Sequence, residues 1–150
     1  MQRGTKWTVF LLLIGFAVSC SAKQLAVIVE KDNHATALAS AELIKILQAQ
    51  TRTWPDGRSI TVVILDPGSP DMQIVMERLY KISPQELKAV VASHKGSMVV
   101  ANSEEDLLHL VGSTRGAIGL VDVYSITHEV KVLKIDDKLP LEPGYLLRGK

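Results

Sequence analysis

One run of five residues, Leu25-Ala26-Val27-Ile28-Val29, carries only apolar side chains and ends shortly before Asp32 and Asn33. Such a run is typical of a β-strand that is covered on both faces. Two similar runs, residues 60–65 and 117–121, follow along the chain. Together these three segments predict the buried centre of one sheet.

Helix signals fill the segments between these runs. Apolar residues recur at helical spacing within residues 38–48. Ser69, Ser83 and Ser103 each precede a helix-like segment as candidate N-caps, and Glu86 completes a capping box with Ser83. Residues 98–101 predict a short strand, and residues 130–135 predict a half-exposed edge strand. This alternation predicts one α/β domain with a mixed sheet over residues 23–150.

The composition is that of a globular domain. Of 150 residues, 47% are hydrophobic and 22% are charged, and 10 Gly with 6 Pro are too few for a low-complexity chain. A net charge of +1 gives no electrostatic footprint for nucleic acid. A single cysteine, Cys20, excludes a disulfide within the chain.

The first 22 residues have the pattern of an export signal. Arg3 and Lys6 form a basic start, and residues 7–18 are apolar apart from Thr8. This stretch is shorter than the about 20 residues that span a bilayer, but it has the length of a secretory hydrophobic region. We therefore predict a signal peptide over residues 1–22 and a periplasmic destination, with a buried N-terminal helix as the alternative.

Two processing sites compete at the end of this segment. Cleavage after Ala22 uses Cys20 and Ala22 as the small residues that such a site requires. Alternatively, Ala17-Val18-Ser19-Cys20 resembles a bacterial lipobox, which implies a lipid on Cys20 and a membrane anchor. Because only residues 21–24 would separate that lipid from the first strand, a tether of at most ~14 Å, we favour release after Ala22.

Three segments resemble, in order, motifs of the PstS-type phosphate-binding proteins of bacterial ABC transporters. Residues 38–46 (LASAELIKI) resemble that family's LSxxELxxIF helix, Trp54-Pro55-Asp56-Gly57 resembles its Trp-x-Asp segment, and residues 116–121 (GAIGLV) resemble its PGAIGYV strand. The likeness covers most of residues 25–135. It implies a single periplasmic-binding-protein-like lobe, a mixed β-sheet flanked by helices, in a solute-binding protein that is not an enzyme.

The resemblance also implies where a ligand would bind. Full-length members hold phosphate with a segment of the form Arg-x-Asp-x-Ser-Gly-Thr at a helix N-terminus, where N–H groups and the helix dipole favour an anion. Here that segment falls on Leu65-Asp66-Pro67-Gly68-Ser69-Pro70-Asp71, in which only Ser69 matches. Pro70 removes one N–H donor, and Asp71 adds a negative charge.

Four residues are the candidate ligand-binding positions: Gly68 and Ser69 in this segment, and His34 and Thr36 in the loop after the first strand, where α/β folds commonly bind ligands. Each has a structural alternative, such as N-capping for Ser69 and a solvated loop position for His34. The expected ligand is phosphate or another small oxyanion, without a cofactor. Since no two histidines form a close pair, we expect no metal site. Residues 23–150 suffice for one lobe, so capture of a ligand would need a second chain, a dimer or a shallow open site.

The remaining polar motifs have structural explanations. The acidic residues Glu104, Glu105 and Asp106 occupy the first turn of a predicted helix, where they complement its dipole. Trp54 is expected to pack against the sheet, and Arg115 to face a helix C-terminus. The sequence lacks a Gly-x-Ser-x-Gly elbow and a Gly-rich nucleotide motif. Two hypotheses remain: a secreted binding protein for a small oxyanion, and a ligand-free lobe that contacts an envelope sensor or transporter.

Overall fold

The computed structural model describes residues 22–150. Apart from Ala22, the predicted signal peptide lies outside the described residues, as does the candidate lipidation site Cys20, and both stay predictions. The elements in chain order are β1 (Leu25–Glu30), β2 (Ala37–Leu38), α1 (Ser40–Leu47), β3 (Thr61–Ile64), α2 (Pro70–Val75) with a π-helical turn (Met76–Tyr80), α3 (Pro84–Ser93), β4 (Met98–Val100), α4 (Glu104–Ser113), β5 (Ala117–Asp122), a 3₁₀ turn (Val123–Ser125), β6 (Val130–Val132) and β7 (Lys134–Ile135).

Five strands form one mixed sheet in the order β4-β3-β5-β1-β6. β3 runs parallel to β4 and β5, whereas β1 runs antiparallel to both β5 and β6. All six residues of β1 are buried, as the apolar run predicts. The three apolar runs therefore form the adjacent central strands β3, β5 and β1, and the predicted mixed α/β sheet is confirmed.

Helix α4 packs directly on the sheet at Gly119 of β5. A Cβ built at Gly119 would lie 2.8 Å from Val111 and 3.0 Å from Leu107, so this glycine allows the close approach of the helix. On α1, the carbonyl oxygen of Leu47 accepts a 2.5 Å hydrogen bond from the Tyr80 hydroxyl, which joins α1 to the π-helical turn. The C-terminal tail also returns to the sheet, since the Leu25 N–H donates to the carbonyl oxygen of Leu147.

Every core side chain of the described chain lies between Leu25 and Leu147. The segment after the predicted signal peptide therefore contains every core residue of the described part of the chain. Within residues 22–150, no helix is both long enough and apolar enough to cross a membrane.

Two element predictions are wrong in detail. The predicted edge strand at residues 130–135 is interrupted at Leu133, which is fully buried and separates β6 from β7. β7 leaves the main sheet and pairs in parallel with β2, a short strand that the sequence pattern did not reveal. The helix predicted to start at residue 38 begins at Ser40, because residues 37–38 are used in that pairing.

Candidate functional site

The four candidate ligand-binding residues fall at opposite edges of the sheet. β1 runs antiparallel to β5, whereas β3 runs parallel to it. The carboxyl end of β1 therefore lies beside the amino ends of β3 and β5, and we call the two ends of the strands the two edges of the sheet. His34 and Thr36 follow β1, whereas Gly68 and Ser69 follow β3. A six-residue strand is roughly 17 Å long, so the two pairs cannot hold the same small anion. The sequence pattern did not reveal this separation.

Ser69 is the N-cap of α2, as predicted. Its hydroxyl oxygen accepts a 3.3 Å hydrogen bond from the Met72 N–H, and Pro70 occupies the first helical position. Asp66 stabilises the loop that precedes α2. Its side chain accepts a hydrogen bond from the Gly68 N–H at 2.7 Å, and its carbonyl oxygen accepts one from the Ser69 N–H at 2.8 Å. Since Pro70 has no N–H, the N–H of Asp71 is the remaining backbone donor in this first turn.

Asp71 is buried and does not stand as a free charge beside this helix N-terminus. Its side chain is 6% exposed and forms an ion pair with Lys23 Nζ, which also lies 3.4 Å from Asp122 Oδ2. Burial raises the pKa of the Asp71 carboxyl and nearby Glu104 raises it further, whereas Lys23 acts in the opposite direction. The hydrogen bond to Asp71 raises the pKa of the Lys23 ammonium group. Lys23 thus pairs with one oxygen of the carboxylate next to Ser69, while Asp122 shares this lysine and Asp71 Oδ2 is buried without a hydrogen-bond partner among residues 22–150.

Lys23 is a residue of this candidate site that sequence reasoning missed. It precedes β1 by two positions and carries no motif, so only the antiparallel course of β1 reveals that it lies at the same edge as α2. Its side chain is 39% exposed, and its ammonium group contacts both Asp71 and Asp122. Its backbone is fixed, because its carbonyl oxygen accepts the Gly149 N–H at 2.7 Å.

Glu104 joins the same edge of the sheet from the first turn of α4. Its carboxylate accepts a 2.7 Å hydrogen bond from the Ser125 hydroxyl and a 3.4 Å hydrogen bond from the Asp122 N–H. Ser103 caps α4 by accepting the Asp106 N–H at 3.1 Å, as predicted. The acidic first turn of α4 therefore has the capping and linking role that the sequence indicated.

His34 and Thr36 line an open pocket at the opposite edge. This pocket has a volume of about 570 Å³ and lies between the loop after β1, the start of α1 and the turn at residues 54–56. His34 is 79% exposed, and its Nδ1 lies 3.7 Å from Asp56 Oδ2. The structure therefore brings His34 and Thr36 together in one pocket, apart from Gly68 and Ser69.

Trp54 is part of the core, as predicted. The residue is 5% exposed, and its indole Nε1–H donates a 2.9 Å hydrogen bond to the carbonyl oxygen of Gly116. Buried Glu30 accepts the Gly116 N–H at 2.6 Å and the Arg58 guanidinium at 2.8 Å. These hydrogen bonds connect the turn after α1 with the start of β5. Arg115 is exposed beside this turn.

The geometry defines an α/β lobe whose parallel strands end at a helix N-terminus capped by serine, an arrangement suited to a small anion. No protein-family model matches the chain, and no curated protein matches its sequence. Solved structures do match its fold. An ABC-type phosphate transport receptor from Vibrio cholerae superposes with a TM-score of 0.71 at 20% identity, covering 85% of this chain and 55% of that one.

Two further solved structures have the same fold. PstS from Borrelia burgdorferi matches with a TM-score of 0.69 at 16% identity, covering 87% of this chain and 56% of that one. A phosphate transporter protein from Clostridium perfringens, solved with bound phosphate, matches with a TM-score of 0.66 at 20% identity, covering 78% and 46%. The chain spans about half the length of these proteins and has their fold over that half, which confirms the periplasmic-binding-protein-like lobe.

Proposed function

We propose that this chain is an exported solute-binding protein of the kind that serves phosphate ABC transporters. In this proposal it binds phosphate or another small oxyanion and performs no chemistry on it. The shared fold with phosphate-binding proteins supports the class of protein. The ligand is proposed from the geometry of the site, because a sequence identity of 20% or less to these structures supports a shared fold but not a shared ligand.

The observation that carries the proposal is the ion pair between Lys23 and Asp71 beside the N-terminus of α2. A free carboxylate in the first turn of a helix would repel an anion, but this one is buried and paired. The anion would be held by the Ser69 hydroxyl, the Asp71 N–H and the ammonium group of Lys23. Gly68 would allow close approach of the ligand to the backbone. His34 and Thr36 take no part, because they lie at the other edge of the sheet.

The chain covers about half the length of its structural neighbours. We propose that the lobe described here binds its ligand weakly when it acts alone. A signal peptide over residues 1–22 fits this proposal, with release into the periplasm after Ala22. Lipidation of Cys20 is the alternative and would tether the lobe to the membrane.

Thermal unfolding of residues 23–150 with phosphate tests the proposal, with sulfate at equal ionic strength as the control for general salt effects. A ligand at 100 times its Kd stabilises the folded state by about 2.7 kcal/mol, which raises Tm by several degrees. We expect phosphate to raise Tm more than sulfate does.

Two serine variants form a matched pair for this test. Ser69 and Ser83 each cap a helix whose first residue is proline, so Ser69→Ala and Ser83→Ala should each cost about 1 kcal/mol of folding stability. Only Ser69→Ala should remove the extra stabilisation by phosphate. If phosphate and sulfate act alike on the unmodified segment, the site is not specific for phosphate. If neither raises Tm more than chloride does at equal ionic strength, the oxyanion site is absent, and the hypothesis of a lobe that contacts a sensor or transporter replaces it.

A further inference from the structure

The pocket at the edge opposite Ser69 has features of a second ligand site. It is lined by His34, Thr36, Leu38, Glu42, Trp54 and Asp56, among others, and its volume of about 570 Å³ is within the usual range for small-molecule sites. A neighbouring pocket of about 610 Å³ shares Leu38, Glu42, Trp54 and Pro55 with it. The two together form a groove between α1 and the turn that follows it.

A buried hydrogen-bond donor without a partner lies in the wall of this pocket. Asn33 is 5% exposed, and its Nδ2 has no acceptor among residues 22–150. The orientation of the amide is fixed, because its Oδ1 accepts the Ala35 N–H at 2.9 Å and the other atom must then be nitrogen. Buried polar groups are almost always hydrogen-bonded, so the Asn33 amide indicates an acceptor atom supplied from the pocket.

The charges around the pocket favour a cation. Asp56 already accepts the Arg58 guanidinium at 3.3 Å, and Arg58 also contacts buried Glu30. Lys131 donates to the carbonyl oxygen of Asn33, and Lys45 lines only the neighbouring pocket. Glu42 borders both pockets and takes part in no ion pair of the described chain. Its Oε2 accepts the Ala39 N–H at 3.1 Å, which holds the carboxylate in place at the start of α1.

Apolar groups complete the lining of the pocket. Ala35, Leu38 and Pro55 lie around the indole of Trp54, which is itself held by its hydrogen bond to Gly116. A ligand that matches this lining has a short apolar body, a carbonyl oxygen for the Asn33 amide and a positive charge for Glu42. Phosphate has no apolar surface and carries a negative charge, so it does not match this lining.

We propose that this pocket binds a small organic ammonium compound that carries a carbonyl oxygen and a short apolar chain. Its ammonium group pairs with Glu42, its carbonyl oxygen accepts a hydrogen bond from Asn33 Nδ2, and its chain packs beside Trp54. This site is separate from the proposed oxyanion site and does not depend on it.

Titration of residues 23–150 with L-leucinamide tests this site. Trp54 is the one tryptophan of that segment, so its fluorescence reports on the pocket without a label. At about pH 6.5 an α-amino group is protonated and carboxylates are ionised. We expect a saturable change in Trp54 fluorescence and a shift of the Asn33 side-chain amide signals in NMR spectra. The matched probe 4-methylpentanamide, which lacks only the amine, should bind more weakly.

Two glutamate variants separate the pocket from general charge effects. Glu42→Gln keeps the acceptor for the Ala39 N–H and removes the charge, so it should weaken leucinamide binding by about two- to fivefold. Glu105→Gln, at an exposed position on α4, should leave binding unchanged. Equal binding of the two probes, or equal effects of the two variants, would overturn the cation assignment. The absence of any saturable change up to tens of millimolar would overturn the site itself.

Discussion

Gly116 combines two restraints that no other residue type satisfies together. Its φ of +79° is in the left-handed region, and a Cβ there would lie 2.0 Å from the carbonyl oxygen of Ser59. Gly57 has a similar φ of +88° but open space around it. We predict that Gly116→Ala lowers the free energy of unfolding by about 3 kcal/mol or more, and Gly57→Ala by about 1 kcal/mol. Urea denaturation of both variants measures this difference, and equal losses would contradict it.

Lys23 and Asp71 form a pair in which one partner is buried and the other reaches solvent. We predict that Lys23→Met lowers the free energy of unfolding by about 1–3 kcal/mol at neutral pH, because an ionised carboxylate stays buried without a cation. Adding Asp71→Asn should restore part of this loss. Chemical denaturation of the single and double variants measures both effects, and a double variant no more stable than Lys23→Met would contradict the pairing.

The same pair gives a pH dependence whose sign follows from the raised pKa of Asp71. A carboxyl group with a raised pKa in the folded state holds its proton there, so its ionisation costs stability as pH rises above the ordinary value near 4. Lys23→Met removes a contact that lowers this pKa. The stability deficit of Lys23→Met should therefore shrink as pH falls towards 4, when Asp71 becomes protonated. A deficit that stays constant between pH 4 and 7 would show that Asp71 is not its source.

Individual residues were predictable where a local motif fixes their role. Ser69 and Trp54 have their expected roles as a helix cap and a core residue, since capping and burial depend on near neighbours and on hydrophobicity. The role of Lys23 was not predictable, because its partners Asp71 and Asp122 are distant in sequence. Asp71 likewise looked like a free charge until its burial was known.

At the scale of elements, the start of α3 is fixed by a capping box that the sequence revealed. Ser83 accepts the Glu86 N–H at 3.2 Å, and the Ser83 N–H donates to Glu86 Oε2 at 2.7 Å. These bonds hold the pKa of the Glu86 carboxyl below its usual value. A group with a lowered pKa stabilises the fold above its ordinary pKa and loses that effect as pH falls through the lowered value.

We therefore predict that Glu86→Ala lowers Tm at neutral pH and that its difference from the unmodified segment disappears in acid. Thermal unfolding between about pH 3 and pH 7 measures this. Glu105→Ala provides a control on the exposed side of α4. A difference at position 86 that persists unchanged at pH 3 would contradict a role for the ionised carboxylate.

Elements with strong local signals were predictable, and those that depend on distant pairing were not. The three apolar runs and the serine caps at residues 69, 83 and 103 are confirmed. The interruption at Leu133 and the pairing of β2 with β7 were missed, because a two-residue strand has no periodicity of its own.

For the whole molecule, the direction of β1 decides where each loop lies. An apolar run predicts a buried strand but contains no information on whether that strand is parallel or antiparallel to its neighbours. The fold class was therefore accessible from sequence, whereas the separation of His34 and Thr36 from Gly68 and Ser69 was not. That separation divides the predicted ligand-binding residues into two groups, to which we assign a proposed oxyanion site and a proposed pocket of different chemistry.

The most direct test of this account is a phosphate titration of isotopically labelled residues 23–150, followed by backbone amide NMR signals. We predict saturable shifts at Gly68, Ser69 and Asp71, at the carboxyl end of β3, with Lys23 moving together with them. The amides of His34 and Thr36 should stay unchanged. Shifts confined to His34 and Thr36, or no phosphate-specific shift at any residue, would contradict the proposed oxyanion site.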